Sequence, residues 1–125
     1  MFTISKEFHF SASHKLEGLP EDHPCSRLHG HNYVVTLTLS SPTRDEVGFV
    51  LDYRKLDRFK RFIDDTYDHR HLNDIFEVNP TAENMAERFY LEAVKQLPSF
   101  VKVQSVTVQE TPKTAATFWM EDEDA

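Results

Sequence analysis

The sequence predicts an α+β domain in which two helices pack on one face of a four-stranded antiparallel sheet. Apolar and polar residues alternate along residues 2–14 and again along 29–40, which is typical of half-buried strands. Residues 53–67 and 81–97 instead repeat apolar side chains at helical spacing, and two short strand-like segments follow them. The order strand, strand, helix, helix, strand, strand favours a layer of helices on a single sheet.

The first two predicted strands each present one apolar face that carries histidine at one end. In the first strand this face consists of the even positions Phe2, Ile4, Phe8, Phe10, Ala12 and His14. In the second strand it consists of the odd positions His29, His31, Tyr33, Val35, Leu37 and Leu39. Residues 15–28 contain Gly18, Pro20 and Pro24, so they are predicted to form the connecting loop.

Capping residues mark where the predicted helices begin and end. A short strand-like segment, residues 49–51, precedes Asp52, which is a candidate N-cap of the first helix. Thr81 is a candidate N-cap of the second helix, which is expected to end before Pro98. A polar stretch, residues 68–74, separates the two helices.

Composition restricts the class of protein. The chain has 125 residues, with 21 acidic and 14 basic side chains and a net charge of -7, so no nucleic-acid partner is expected. Apolar residues make up 39% of the chain, enough for a core, but no segment approaches the roughly 20 apolar residues of a membrane span. We expect one domain over residues 1–120 followed by an acidic tail over 121–125. No secretory signal is visible and Cys25 is the only cysteine, so a cytoplasmic location is expected.

Three histidines are candidate metal ligands. His29 and His31 lie two residues apart on one strand, so their rings share a face. His14 ends the neighbouring predicted strand and can join them if the two strands form a hairpin. Three imidazoles suit Zn²⁺ with a fourth position open for water or substrate. The alternative is that the His-x-His pair is simply two half-buried strand histidines.

Cys25 and the pair Asp68 and His69 are candidate groups for proton transfer. Cys25 lies in the loop before His29, beside Arg27, where a positive environment would lower its pKa. A carboxylate bonded to an imidazole can set the tautomer and basicity of the ring. The alternatives are an inert small cysteine, and an exposed Asp beside a His at a helix end.

Glu110 is a candidate ligand-binding residue. It ends a predicted strand whose same-face neighbours are Val106 and Val108, so its carboxylate is expected in apolar surroundings that require a partner. A ligand edge with two adjacent N–H groups would satisfy it bidentately. An exposed glutamate at the end of a strand is equally compatible with the pattern. The last predicted strand covers residues 116–120.

Several ordered motifs together resemble the 6-pyruvoyl-tetrahydropterin synthase family over roughly residues 2–119. These motifs are Phe10-Ser11-Ala12-Ser13-His14, Cys25-Ser26-Arg27-Leu28-His29-Gly30-His31-Asn32-Tyr33, Asp68-His69 with Leu72-Asn73, Pro80-Thr81-Ala82-Glu83-Asn84, and Glu110-Thr111. The resemblance implies the tunnelling fold, in which three subunits join their sheets into a barrel and two trimers stack as a homohexamer with active sites between subunits.

The resemblance also implies a role for each motif residue. His14, His29 and His31 match the zinc ligands of the family, and Cys25, Asp68 and His69 match its catalytic triad. Glu110 matches the glutamate that anchors the pterin ring, and Thr81 matches a threonine that contacts the ring. Ala82 stands where the family has a second threonine, so that contact is missing here.

The short spacing from Cys25 to the His-x-His pair is similar to that of bacterial members that make 6-carboxy-5,6,7,8-tetrahydropterin for queuosine and 7-deazapurine biosynthesis. The implied substrate is 7,8-dihydroneopterin triphosphate, with loss of acetaldehyde and triphosphate. One alternative is a synthase that eliminates triphosphate without carbon–carbon cleavage, giving 6-pyruvoyl-tetrahydropterin. Another is a non-catalytic module that binds zinc or a pterin.

Basic residues adjoin the motif residues although the chain as a whole is acidic. We expect some of Lys15, Arg27, Arg70 and Lys113 to line the path of the triphosphate as a local positive field. The pattern assigns no role to His9, His23 or His71.

Overall fold

The computed structural model describes residues 1–121 as one sheet covered by two helices. The strands are β1 (Phe2–His14), β2 (His29–Ser41), β3 (Arg70–His71), β4 (Lys102–Thr111) and β5 (Thr114–Phe118). The helices are α1 (Asp57–Thr66), which follows a 3₁₀ turn at Tyr53–Leu56, and α2 (Ala82–Gln96). Of the predicted acidic tail, residues 122–125 lie outside the described part of the chain.

The sheet has five strands in the order β3-β1-β2-β4-β5. The pairs β1–β2, β2–β4 and β4–β5 are antiparallel, as predicted. The prediction of four strands was wrong, because the two-residue strand β3 pairs in parallel with Ala12 and Ser13 of β1. The sheet is therefore mixed, and the added strand comes from the polar stretch between the helices.

The core lies between the helices and one face of the sheet. Phe8 and Phe10 are two residues apart on β1, and their rings contact Phe59 of α1 and Phe89 of α2 at centroid distances of 5.2 and 6.0 Å. Both helices therefore pack on the same face, as the alternation in β1 predicts. In β4 a bulge at Gln104 lets Val103 and Val106 both stay buried.

Residues 49–51 do not form the short strand that the sequence suggested. The carboxylate of Asp45 accepts hydrogen bonds from the backbone N–H groups of Val47, Gly48 and Phe49. Gly48, at φ +106°, supplies the turn that lets one carboxylate reach all three groups. Leu51 is nevertheless buried, so the apolar run reflects contact with the core and not strand pairing.

Thr81 caps α2 as predicted, whereas Asp52 caps the 3₁₀ turn before α1, whose own N-cap position, Leu56, has no side-chain hydrogen bond. The Asp52 carboxylate accepts from Arg54 N–H at 3.0 Å at the start of the 3₁₀ turn. The Thr81 hydroxyl oxygen accepts from Asn84 N–H at 3.1 Å at the start of α2. No helix in residues 1–121 is both long and apolar enough to cross a membrane.

Candidate metal centre and neighbouring active-site residues

Pairing of β1 with β2 brings the three predicted metal-ligand histidines together. His14 stands opposite His29 in the ladder and Ala12 stands opposite His31, so all three rings project from the core face. The ring centroids lie 4.5 Å (His14 to His29), 5.1 Å (His14 to His31) and 4.9 Å (His29 to His31) apart, with near-perpendicular planes. The hairpin geometry expected from the alternating pattern is present.

Glu110 of β4 joins this cluster. Val108 pairs with Val35 in the register of β2 and β4, and Glu110 continues the face of Val106 and Val108 toward the histidines. Its Oε1 lies 3.2 Å from Nε2 of His14 and 3.2 Å from Nε2 of His31. One potential ligand atom from each of the four residues lies within 4.8 Å of the others. We refer to His14, His29, His31 and Glu110 as the His₃Glu cluster.

The backbone around the cluster fixes which ring nitrogens carry protons. Nδ1 of His14 lies 2.9 Å from Pro80 O, and Nδ1 of His29 lies 2.7 Å from Arg27 O. A carbonyl oxygen only accepts hydrogen bonds, so each Nδ1 is the donor and each neutral ring keeps its lone pair on Nε2. These two Nε2 atoms face each other at 2.9 Å. Two lone pairs at that distance repel unless a cation, either a proton or a metal ion, lies between them.

His31 provides a second sign that the cluster is built for a cation. Among the described residues 1–121, its Nε2 is the buried side-chain polar atom without a hydrogen bond. Burial lowers the pKa of His31, although Glu110 acts in the opposite direction, so the neutral ring that metals require is favoured. The neighbouring imidazole of His14 lowers the pKa of Glu110 against the effect of burial, which favours the carboxylate form. Three imidazole nitrogens and a carboxylate oxygen suit a divalent metal such as Zn²⁺.

Asp68 and His69 form a hydrogen-bonded pair that is attached to the edge of β1. Ser11 N–H donates to Asp68 Oδ1 at 2.9 Å, and His69 N–H donates to Ser11 O at 2.6 Å. Asp68 Oδ2 lies 3.0 Å from Nδ1 of His69, which leaves the other ring nitrogen, Nε2, for chemistry. The Ser11 hydrogen bond lowers the pKa of Asp68, so this group stays a carboxylate.

His69 also adopts an uncommon backbone conformation. Its φ of 59° lies in the left-handed region, which a residue with a Cβ adopts at some cost. This conformation turns the chain into β3 and leaves the imidazole 82% exposed beside the sheet. The exposed ring is therefore positioned by backbone bonds and not by burial.

Cys25 lies in a separate part of the chain. It sits in a 3₁₀ turn at Pro24–Ser26, where its N–H donates to Nδ1 of His23 at 3.0 Å and its carbonyl accepts from Leu16 N–H at 2.9 Å. The thiol is half-buried and unpaired. Within the described residues 1–121, no hydrogen bond links Cys25 with Asp68 or His69.

The remaining predicted substrate-binding residues surround the cluster without a common contact. Thr81 caps α2, which occupies its oxygen as an acceptor. Lys15 Nζ lies 3.9 Å from Glu17 Oε1, and Arg27 is exposed. Arg70 donates to Asp65 O at 3.3 Å, and Lys113 is exposed in the turn between β4 and β5.

A groove of about 470 Å³ is lined by residues of β1, β2 and β3 together with His69. Gly30 and His31 line one side of it, and His69, Arg70 and His71 line the other. His71 Nδ1 lies 3.0 Å from the Ser13 hydroxyl, which gives this histidine a partner that the sequence did not indicate. The groove places polar side chains near both predicted reactive groups.

Sequence patterns missed the residues that hold the reactive groups in place. Ser11 acts through its backbone, and Pro80 orients His14 through a carbonyl that every residue possesses. Asn73 and Asn79 bind the loop that carries Cys25. Ser11, Asn73 and Pro80 stand within the motifs that resemble the family, but the sequence gives them no role, and Asn79 lies outside these motifs.

Together the fold and the site define an α+β domain with a side-chain cluster suited to a metal ion and an Asp–His pair suited to acid–base chemistry. The profile of the 6-pyruvoyl tetrahydropterin synthase family matches residues 3–121, so the chain belongs to this family.

Similar proteins include both kinds of synthase. The chain is 32% identical to a 6-carboxy-5,6,7,8-tetrahydropterin synthase from Bacillus subtilis, over 89% of this chain and 80% of that protein. It is 31% identical to the synthase of the same name from Synechocystis, over 95% of this chain and 94% of that protein. The structure of Caenorhabditis elegans 6-pyruvoyl tetrahydropterin synthase superposes with a TM-score of 0.81 at 32% identity, covering 96% of both chains. Identity to the two kinds of relative is therefore equal.

Proposed function

We propose that this protein is a zinc-dependent 6-carboxy-5,6,7,8-tetrahydropterin synthase that acts on 7,8-dihydroneopterin triphosphate. The observation that carries the proposal is the His₃Glu cluster, in which one potential ligand atom from each of the four residues lies within 4.8 Å of the others. The cluster occurs in a chain of this family. The short spacing of Cys25 from His29 supports the carboxy product over the pyruvoyl product, and carboxy-synthases of bacteria are among the relatives of this chain.

In this proposal His14, His29 and His31 hold zinc through Nε2, and the carbonyls of Pro80 and Arg27 keep two of the rings in the required tautomer. Bound zinc would act as a Lewis acid toward the side-chain hydroxyls of the substrate. Glu110 accepts hydrogen bonds from the edge of the pterin ring. Its contacts with His14 and His31 place that edge beside the metal ligands.

Cys25 and His69 move protons on the substrate side chain. Cys25 acts as a thiolate, and His69 acts through Nε2 because its Nδ1 is held by Asp68. No hydrogen bond joins the two groups within residues 1–121, and we propose that each active site combines Cys25 and the Asp68–His69 pair from different subunits of a homohexamer. Thr81 contacts the ring, while Lys15 and Arg27, together with Arg70 and Lys113, face the triphosphate.

The overall reaction consumes one water and releases triphosphate and acetaldehyde, and carbon–carbon cleavage leaves the carboxyl group on the reduced ring. Incubation of the zinc-loaded protein with 7,8-dihydroneopterin triphosphate tests this directly. We expect 6-carboxytetrahydropterin by mass spectrometry and an equal amount of acetaldehyde in a coupled alcohol dehydrogenase assay.

Each alternative gives a distinct result in the same experiment. Formation of 6-pyruvoyl-tetrahydropterin without acetaldehyde would assign the protein to the other kind of synthase. Bound zinc with no consumption of the triphosphate would instead indicate a non-catalytic binding module. The proposed reaction would be wrong in both cases.

A further inference from the structure

The loop that carries Cys25, residues 15–28, leaves the sheet directly after His14 and is mostly exposed. Bonds within the turn and between Arg27 O and His29 Nδ1 hold the end of the loop that leads into β2. Leu16 N–H donates to Cys25 O at 2.9 Å, and this bond joins the start of the loop to the turn that holds the thiol. The position of Leu16 therefore contributes to where Cys25 lies.

Two asparagines hold the residues on either side of Leu16. Lys15 N–H donates to Asn73 Oδ1 at 2.9 Å, and Asn73 Nδ2 donates back to Lys15 O at 2.8 Å. Glu17 N–H donates to Asn79 Oδ1 at 2.9 Å, and Asn79 Nδ2 donates back to Glu17 O at 2.9 Å. A primary amide carries a donor and an acceptor side by side. Each asparagine side chain therefore binds both backbone groups of one loop residue, as a residue of a neighbouring strand would.

Alternation along an extended chain explains the arrangement. The backbone groups of residues 15 and 17 point to one side, toward the asparagines, and those of residue 16 point to the other side, toward Cys25. The two amides thus extend the pairing of β1 by three residues beyond His14. Because the asparagines hold the backbone of Lys15 and Glu17, the N–H of Leu16 between them keeps its direction toward Cys25 O.

The asparagines are themselves anchored in ordered parts of the fold. Asn73 lies in a 3₁₀ turn, Leu72–Asp74, whose Leu72 is fully buried. The carbonyl of Asn79 accepts from Asn84 Nδ2 of α2 at 2.8 Å. The loop is therefore tied to the core and to helix α2 through two side chains.

We infer that Asn73 and Asn79 are positioning residues for Cys25. This inference rests on the proposed function, because it assigns the asparagines to the reaction through the thiol. They touch the loop backbone and not the thiol, so their loss displaces Cys25 without removing any reacting group. A misplaced proton-transfer group lowers the rate of the chemical step more than it weakens substrate binding.

The test uses Asn73→Asp and Asn79→Asp, singly and together, in the zinc-loaded full chain. Aspartate keeps the size and the acceptor but replaces the donated N–H with an oxygen that faces the carbonyl of Lys15 or Glu17. Asn73→Ala and Asn79→Ala serve as a second pair should an aspartate variant fail to fold. Gln104→Glu is the matched control, since it makes the same amide-to-acid change at the far end of the sheet, where Gln104 accepts from Ser40 Oγ.

Hydrogen–deuterium exchange and steady-state kinetics give separate readouts. In the asparagine variants we expect faster exchange in a peptide covering residues 15–28, a kcat about tenfold lower, a KM changed less than about twofold, and retained zinc. The control should match the wild type in all four. Unchanged exchange would overturn the anchoring itself, and faster exchange with an unchanged kcat would overturn the positioning role.

A failure of the proposed function gives a different pattern from a failure of this inference. Should the wild type not turn over the triphosphate, alkylation of the single thiol by iodoacetamide decides the question. An alkylation rate changed at least about threefold in the variants supports positioning of Cys25 by the asparagines, and an unchanged rate overturns it.

Discussion

Individual atoms decide what the histidines of the cluster can bind. His14 and His29 each direct Nδ1 at a backbone carbonyl, so both present Nε2 to the same space. His31 adds a buried Nε2 without a hydrogen bond among the described residues. A metal ion satisfies all three atoms together, whereas water would have to donate to each of them. The chemistry of the donor set thus favours a metal at this position.

Replacement of Cys25 tests the assigned proton transfer at the residue scale. We expect Cys25→Ala to lower turnover by about 10²–10⁴-fold, the range usual for loss of a general acid or base. Zinc should stay bound, since the ligands come from β1 and β2 and none is Cys25. Product formation is measured by liquid chromatography and zinc by plasma mass spectrometry. Full activity in this variant would remove the thiol from the mechanism.

Strand β3 and the residues at the start of helix α2 hold the proposed reactive groups in place. The two-residue strand β3 holds Asp68 and His69 against Ser11, and Pro80, which directly precedes the N-cap of α2, supplies the carbonyl that orients His14. The N-cap Thr81 and the candidate metal ligand His14 are therefore linked through Pro80. Loss of the cap is expected to weaken this end of the helix first.

The contribution of the cap can be measured at the element scale. Thr81→Ala removes the oxygen that accepts from Asn84 N–H, so the free energy of unfolding should fall by about 1 kcal/mol in urea titrations. Thr81→Ser keeps the hydroxyl and should retain most of that stability. Equal losses in the two variants would mean that the methyl group, and not the cap, stabilises the helix.

At the scale of the whole molecule, the proposed active site depends on how copies of the chain assemble. In the described residues β3 and β5 form the two edges of the sheet. No hydrogen bond among these residues joins Cys25 to the Asp68–His69 pair. In the homohexamer that we propose, a second copy of the chain supplies one of these groups to each site.

The expected assembly is a homohexamer, and its mass is the test. Light scattering after size exclusion should give six times the 14.6 kDa of one chain. A mixture of Cys25→Ala and His69→Ala subunits should then recover part of the activity, because some sites contain both intact groups. A monomer that turns over the substrate would contradict the shared site.

The sequence by itself determined the strands, the helices, the caps and the three histidines, because all of these depend on local periodicity and capping. β1 runs from Phe2 to His14 as the alternation predicted, and α2 begins after Thr81 as its cap predicted. Glu110 could be placed on the core face by its spacing from Val106 and Val108, although its contact with the histidines could not. Only the tertiary structure decided the parallel pairing of β3 and the irregular path of residues 49–51. It also decided which backbone groups Asn73 and Asn79 bind, because these groups lie some 60 residues away along the sequence and local patterns do not predict such contacts.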